Sequence, residues 1–322
     1  MRIAVTGASG FCGGAVALLA ARRGMEVVCL GRRPGPIGTH VRWDAAAEKP
    51  DLTGADAVVH LAAVVGDPGP GPAAEAAYRA VNVDGTARLL DVAAGRPFIW
   101  VSSASVYRPG PYSGPVREDH PVAAQRGAYG RSKAAGERLA LAAGAVVLRP
   151  RAVYGAGDPH LRPRLRRVVR GGRAWLPGPD TPLSLTAVEN LADACLAALG
   201  RPAPGPAEPP DEVRVPPIRQ RPAQSPPAPD HAWPSGAYNI ADATVYRRDE
   251  VVAQVLGVPV RHLPVRPVRA LASVVERIGH PPLLTRYAVD QLSDGMVLDL
   301  SRASAQGWRP DPVRTPFAPA SS

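Results

Sequence analysis

The chain opens on an alternation of two hydrophobic periods. The apolar runs Arg2–Thr6, Glu26–Leu30, Ala57–Leu61, Phe98–Ser102 and Ala145–Leu148 are short and nearly continuous, the pattern of strands buried on both faces. Between them Gly13–Arg23, Ala73–Ala94 and Ala128–Ala143 are rich in alanine and leucine at helical spacing,. Gly24 is placed to end the first helix in a left-handed conformation. The alternation predicts an α/β fold in which a doubly wound parallel sheet occupies residues 1–150. Residues 151–322 are expected to form mainly a smaller C-terminal substrate-binding region, with segments near 184–200 and 237–240 returning to the first unit.

The pattern breaks at Arg201–Ser235, which holds twelve prolines in 35 residues. Proline fixes φ and removes a donor, so this stretch is expected to be a mobile surface insert. Periodicity resumes with a short strand at Ala237–Ile240, a helix near Arg248–Leu256 and another at Val268–Ile278.

Composition narrows the class without naming a chemistry. A chain of 322 residues with 45% hydrophobic content has ample core for a globular enzyme,. No apolar run reaches the roughly 18 residues of a membrane span. A strand begins two residues in, so no signal peptide and a cytoplasmic location are expected. Cys12, Cys29 and Cys195 lack metal-ligand spacing and read as free thiols, and no metal is expected. The net charge of +10 comes from scattered arginines and is paired with only 5% aromatics, so nucleic acid is not an expected partner. The one dense basic stretch, Arg162 to Arg170, reads as a solvated helix face, with an anionic substrate as the alternative.

Two strings carry the candidate chemistry. Gly7, Gly10 and Gly13 follow the first strand and open the first helix as G-x-x-G-x-x-G. The first glycine allows the turn, the second admits a pyrophosphate, and the third lets helix and sheet approach. Ser9, Phe11 and Cys12 sit in the same loop. After the second strand comes Gly31-Arg32-Arg33, where a carboxylate would bind the ribose hydroxyls of NAD. Its absence, with Arg32 able to grip a 2′-phosphate, favours NADP, NAD remaining open. Asp44 is placed for an adenine amino group, and the backbone of Leu61, Ala62 and Ala63 for close approach to the cofactor. His60 reads as a packed strand-end histidine.

The second string is Tyr129-Gly130-Arg131-Ser132-Lys133. Of 38 basic residues only Lys49 and Lys133 are lysines, so a lysine four residues after a tyrosine carries weight here. Both side chains project from one helix face. A neighbouring ammonium and an oxidised nicotinamide would lower the phenolic pKa toward use as a base, and Lys133 could bond the nicotinamide ribose. Ser103, at the end of a strand, is placed to bond a substrate oxygen.

These residues resemble the extended short-chain dehydrogenase/reductase family, also called the NAD-dependent epimerase/dehydratase family. The likeness includes Thr6–Gly13, His60–Ala63, Asn82–Thr86, Val101–Tyr107, Tyr129–Lys133 and Arg149–Gly155. It implies a Rossmann doubly wound parallel sheet with a smaller C-terminal substrate-binding region, and catalytic Ser103, Tyr129 and Lys133. It also implies that Asn82 supports the central helix and that Pro150 and Val153 lie beside the nicotinamide. Ala104 and Ser105 replace the Asp-Glu pair of sugar-nucleotide dehydratases, which argues against dehydration. The tail from Pro282 to Tyr287, with Asp299–Ala303 and Gly307–Pro310, is similar to bacterial 3β-hydroxysteroid dehydrogenase-like members. The expectation is an NAD(P)-dependent oxidoreductase interconverting a secondary alcohol and a ketone, acting on a small-molecule substrate, with a homodimer possible. The alternatives are a sugar-nucleotide epimerase with tightly bound NAD and a non-catalytic cofactor-binding protein.

Overall fold

A computed structural model describes residues 1–66, 71–125, 127–200, 231–278 and 285–312; for Arg162, Arg277 and Ile278 it describes only the backbone. The first half runs β1 (Arg2–Thr6), α1 (Phe11–Arg22), β2 (Glu26–Gly31), β3 (Thr39–Arg42), β4 (Ala57–His60), α2 (Pro72–Arg79), α3 (Thr86–Ala93), β5 (Phe98–Val101), α4 (Ala128–Ala142) and β6 (Val146–Pro150). A π-helical turn, Ala80–Gly85, joins α2 to α3, so the predicted single helix Ala73–Ala94 is two helices with a bulge. Gly24 stands at φ +75° after α1, as its position predicts.

The second half contains β7 (Val153–Tyr154), α5 (Leu161–Arg166), β8 (Val169–Arg170), β9 (Arg173–Pro177), β10 (Pro182–Leu183), β11 (Thr186–Ala187) and α6 (Val188–Ala198). It continues with β12 (Gly236–Ile240), β13 (Tyr246–Arg247), α7 (Arg248–Leu256), β14 (Val260–Leu263), α8 (Val265–Ile278), α9 (Arg286–Ser293) and α10 (Ser301–Ala305). β8, β9 and β14 form a small three-stranded sheet.

The central sheet has seven strands in the order β12-β6-β5-β4-β1-β2-β3, every pair parallel. Its strands alternate between two cores. Ile3 and Val5 enter one cluster with Val27 and Cys29, while Ala4 enters the other with Val28 and Leu30. Both sets are buried, which is why the sequence shows continuous apolar runs. One face is covered by α1 and α6 through Val16, Ala17 and Ala20 against Leu191, Cys195 and Ala198. The opposite cluster includes Leu89, Ala93 and Ala140 of α3 and α4. The strand order reverses between β1 and β4, and in open α/β sheets ligands bind at that crevice beyond the carboxyl ends of the strands.

The predicted insert boundary is too late at its C-terminal end. The Trp233 ring is buried against Tyr238 and Trp308, and the residue's backbone N–H donates to the Ala198 carbonyl (3.1 Å). A large aromatic ring that fills a core gap folds with that core, so residues 231–235 belong to it. Residues 201–230, with the rest of the proline-rich stretch, and Pro282–Leu284 lie outside the described residues. Cys12, Cys29 and Cys195 are free thiols. Among the described residues no helix is long and apolar enough to cross a membrane.

Candidate active site

The glycine turn is shaped by what a side chain would strike. Gly7 follows β1 at φ +70°, a conformation that strains any residue with a Cβ. A Cβ on Gly7 would lie 2.9 Å from the Ala62 nitrogen, and one on Gly13 2.3 Å from the Gly7 carbonyl oxygen. A Cβ on Gly10 meets only that same oxygen, at 3.3 Å. Ser9 and Gly10 are exposed. Gly10 N–H donates to the Gly7 carbonyl (2.9 Å), and Gly10 heads α1 with no side-chain cap. The floor of the loop is closed to side chains and its mouth is open beside the first N–H groups of α1, which lack helical partners. These residues fit the pyrophosphate of a dinucleotide.

A chain of hydrogen bonds ties this loop to the next elements. Thr6 Oγ1 accepts from the N–H groups of Leu61 (3.0 Å) and Ala62 (2.9 Å) and donates to His60 Nδ1 (2.6 Å). His60 Nε2 donates to Thr86 Oγ1 (3.0 Å), which donates to the Asn82 carbonyl (3.0 Å). Both ring nitrogens are used by a neutral imidazole. Burial, helped by the Lys133 charge, holds the His60 pKa down to about 3. His60 is structural, and Leu61, Ala62 and Ala63 follow it half-buried at the end of β4.

Asn82 is buried in the π turn and clasps two segments. Its Oδ1 accepts from Val64 N–H (2.8 Å), and its Nδ2 donates to the Val64 carbonyl and to Ser132 Oγ (both 3.0 Å). Ser132 Oγ in turn donates to the Tyr129 carbonyl (2.9 Å). Gly136 lets α4 approach closely, since a Cβ there would sit 2.4 Å from the Asn82 carbonyl oxygen.

Ser103 follows β5 and caps a short turn, its Oγ accepting from Ser105 N–H (3.2 Å). Its hydroxyl lies near enough to the Tyr129 phenol to favour the phenolate. The Tyr129 ring is half-buried and edge-on to Tyr78, with centroids 6.4 Å apart. Burial raises the phenol above its ordinary pKa; the nearby Ser103 hydroxyl and the charge of Arg164 act the other way.

Lys133 is not arranged as the sequence reading has it. It is buried, donates to the Val101 carbonyl (2.6 Å) and lies 4.1 Å from the centroid of the Trp100 ring. A buried ammonium needs acceptors, and here it finds the end of β5 and an aromatic face rather than the phenol. Burial pulls its pKa down to about 7, against the charge of Glu137. Cys12 is near enough to feel this charge, but burial and Asp158 push its thiol up to about 12.

The remaining expected residues stand at or beyond the carboxyl ends of strands of the central sheet or at the start of α1. Pro150 closes β6 and Val153 opens β7. Phe11 heads α1 with its ring tip 3.5 Å from where a Gly155 Cβ would stand. Arg32 is exposed just past β2. Asp44 is half-buried, and its Oδ1 accepts from Ala46 N–H (3.0 Å), so one oxygen is spent on its own turn.

Sequence reasoning missed the polar network under the Ser103 loop. Glu137, one turn beyond Lys133 on α4, accepts from Ser102 Oγ (2.6 Å) and from Arg149 Nε (3.1 and 3.2 Å) and Nη2. Arg149 also donates to the Tyr107 hydroxyl (3.0 Å) and the Glu118 carbonyl (2.9 Å), and Tyr107 donates to Asn239 Oδ1 (2.6 Å). The available signals were an arginine inside the apolar strand Val146–Pro150 and a carboxylate at i+8 from Tyr129.

A doubly wound sheet, a glycine cradle at its switch point and a serine, tyrosine and lysine at the ends of β5 and α4 define a dinucleotide-binding α/β protein. Residues 3–211 match the model of the NAD-dependent epimerase/dehydratase family, and the chain belongs to it. A 2-alkyl-3-oxoalkanoate reductase of Stenotrophomonas maltophilia is 31% identical over 64% of this chain and 67% of its own length. A dTDP-4-dehydrorhamnose reductase of Streptomyces griseus is 35% identical over 61% of this chain. The match spans just under two thirds of that relative's length, 64%. Among solved structures, UDP-glucuronic acid 4-epimerase from Bacillus cereus, in complex with NAD, superposes with a TM-score of 0.67 at 20% identity, covering 98% of this chain and 94% of that one. That last likeness concerns the fold.

Proposed function

We propose that the protein is an NAD(P)-dependent oxidoreductase that interconverts a ketone and a secondary alcohol, with NADP(H) preferred. The observation that carries this reading is the juxtaposition of Ser103, at the carboxyl end of β5, with Tyr129 on α4, near enough for the serine to act on the phenol, beside a glycine cradle that fits a dinucleotide. A bound nicotinamide cofactor supplies or takes up the hydride. Ser103 holds the substrate oxygen. Tyr129 delivers the proton as that oxygen becomes an alkoxide, or takes it in the reverse direction. A phenol that burial keeps protonated suits the acid role in reduction. Gly7, Ser9, Gly10, Phe11 and Cys12 would hold the pyrophosphate, with Leu61–Ala63, Asn82, Pro150 and Val153 around the rest of the cofactor. Arg32, exposed just past β2, would bond a 2′-phosphate, and Asp44, whose Oδ1 accepts from its own turn, would offer its other oxygen to adenine. Lys133 would meet the ribose after exchanging its bond to the Val101 carbonyl. Both curated relatives bear reductase names, which supports net redox chemistry over epimerisation.

The test is Tyr129→Phe, which removes only the hydroxyl. Turnover of a ketone with NADPH, followed by loss of reduced-nicotinamide absorbance, should fall by about 10²–10⁴-fold, with cofactor affinity within a few-fold of the parent. Stoichiometric cofactor consumption distinguishes this reaction from epimerisation, which consumes none. Full activity of Tyr129→Phe would end the proposal.

A further inference from the structure

A phenol that delivers a proton needs a ring held in one rotamer. Lys133, expected to face that phenol, gives its ammonium to the Val101 carbonyl instead (2.6 Å). The contact that meets the ring comes from α2. Tyr78 stands nearly perpendicular to Tyr129, at 79°, with ring centroids 6.4 Å apart. This is an arrangement in which two aromatic rings attract beyond their shared burial.

α2 is built around this one side chain. Tyr78 is its buried residue, at 4% exposure, while Ala73, Ala76, Ala77 and Arg79 around it are exposed. Glu75, Tyr78 and Asn82 follow one another at helical spacing into the π turn, and their contacts show that they share the face turned to α4. Each takes a different part of one α4 segment. Glu75 pairs with Arg131, Tyr78 meets the Tyr129 ring, and Asn82 bonds Ser132 Oγ (3.0 Å), which bonds the Tyr129 carbonyl (2.9 Å). Asn82 thus reaches the backbone of Tyr129 and Tyr78 its ring. Tyr78 is itself confined at its far end. A Cβ on Gly66, in the chain that leaves β4, would lie 3.6 Å from the Tyr78 hydroxyl oxygen.

We propose that Tyr78 is a positioning residue for the reaction, its ring fixing the rotamer of Tyr129 so that the phenol points at the substrate oxygen. It acts through Tyr129 and exchanges no proton itself. What the role requires is a flat, rigid ring at this place, because an apolar chain of similar bulk can fill the space and still let the Tyr129 ring turn. The proposal rests on the ketone-reductase reading for its effect on rate, and on ring packing alone for its effect on Tyr129.

The test compares Tyr78→Met, which fills the space with a flexible chain, with Tyr78→Phe, which keeps the ring. The full chain is assayed with NADPH and three probe ketones, 3-oxooctanoate, 2-heptanone and cyclohexanone. With a probe that the parent reduces, Tyr78→Met should lower kcat by about 10–100-fold, the scale of a displacement of about 1 Å at a reacting group. KM and NADPH affinity should stay within about 3-fold, and Tyr78→Phe should bring kcat back to within about 3-fold of the parent. A residue that merely anchors α2 would lower the melting temperature and leave kcat of the folded protein unchanged. The second readout needs no turnover. With 3-fluorotyrosine in place of tyrosine, the fluorine resonance that Tyr129→Phe deletes reports the Tyr129 ring. It should be one sharp line in the parent and in Tyr78→Phe, and broadened or split in Tyr78→Met. Tyr78→Leu serves for both readouts where Tyr78→Met does not fold. The expected lines without reduction of any probe would keep Tyr78 as the residue that places the Tyr129 ring and overturn the reductase reading. Unchanged kcat in Tyr78→Met, equal losses in kcat and NADPH affinity, or one sharp Tyr129 line in Tyr78→Met would overturn the proposal.

Discussion

Glu137→Gln isolates the polar network beneath the site. The Glu137 and Arg149 side chains are 2% and 4% exposed. The carboxylate takes bonds from Arg149 and from Ser102, the residue before Ser103. Glutamine keeps one acceptor and turns an NH₂ group towards the guanidinium or the Ser102 hydroxyl. Arg149 is then left with neutral acceptors alone for a buried charge, the amide oxygen at best beside the Tyr107 hydroxyl and the Glu118 carbonyl. Removing one partner of a buried pair costs about 3–5 kcal/mol, a large fraction of the roughly 5–15 kcal/mol of a typical domain. At about 2–4 °C per kcal/mol the melting temperature should fall by about 6–20 °C. There is a second, electrostatic readout. Glu137 opposes the burial that pulls Lys133 down to about 7. Without that charge the Lys133 pKa falls further, and the limb of the rate profile that reports its deprotonation moves to lower pH. The assays are urea unfolding and a kcat/KM–pH profile on parent and variant, with Glu137→Leu/Arg149→Met as the apolar replacement of both partners. A cost below about 1 kcal/mol for Glu137→Gln, the range of an exposed pair, would refute the reasoning.

Three further outcomes follow from the geometry. Gly13→Ala places a Cβ 2.3 Å from the Gly7 carbonyl oxygen; overpacking of this kind costs about 1–3 kcal/mol, and calorimetry should show at least a comparable loss in dinucleotide affinity. Arg32→Asp should lower the NADPH-to-NADH affinity ratio by about 10–100-fold through loss of a charge-assisted bond; an unchanged ratio in fluorescence titrations would remove Arg32 from cofactor choice. His60 is held down to about 3 against roughly 6.5 in an unfolded chain. The unfolded state therefore binds more protons between those values, and the stability contribution is complete above pH 6.5 and lost as pH falls. Between pH 6.5 and 4.5 this residue should cost about 2–3 kcal/mol, and His60→Asn should flatten that slope in pH-dependent denaturant melts.

What the sequence revealed, and what it hid, follows from how each residue earns its place. Strands buried on both faces must be apolar throughout, so β1, β2, β4, β5 and β6 could be read directly. β3 is an edge strand whose residues are mostly exposed, and it carries no such run. The glycine turn was legible because Gly7 and Gly13 exclude side chains for local steric reasons. The π turn was not, because it depends on the Ala45 carbonyl lying 2.4 Å from where a Gly85 Cβ would sit, a contact 40 positions away in the chain. Trp233 was assigned to the proline-rich stretch by composition, whereas burial against Trp308 decided its place.

The candidate site divides in the same way. Tyr129, Lys133 and Ser103 could be found by spacing, since i and i+4 on a helix and the end of a strand are local facts. The orientation of Lys133 could not, because a buried amine takes whatever acceptor the fold provides, here the Val101 carbonyl. Glu137 extends the same helical face by one more turn, so α4 carries a phenol, an ammonium and a carboxylate in series. The first meets Ser103, the last meets Ser102, and the ammonium reaches the end of the strand that precedes both. Two side chains of one helix thus bind successive residues of one strand end, Val101 and Ser102, and the third lies near Ser103. The residues just before Ser103 are thus held by the same contacts that neutralise the buried charges, which is why a charge-removing substitution at Glu137, remote from the substrate oxygen, is expected to reach the chemistry proposed for Ser103 and Tyr129.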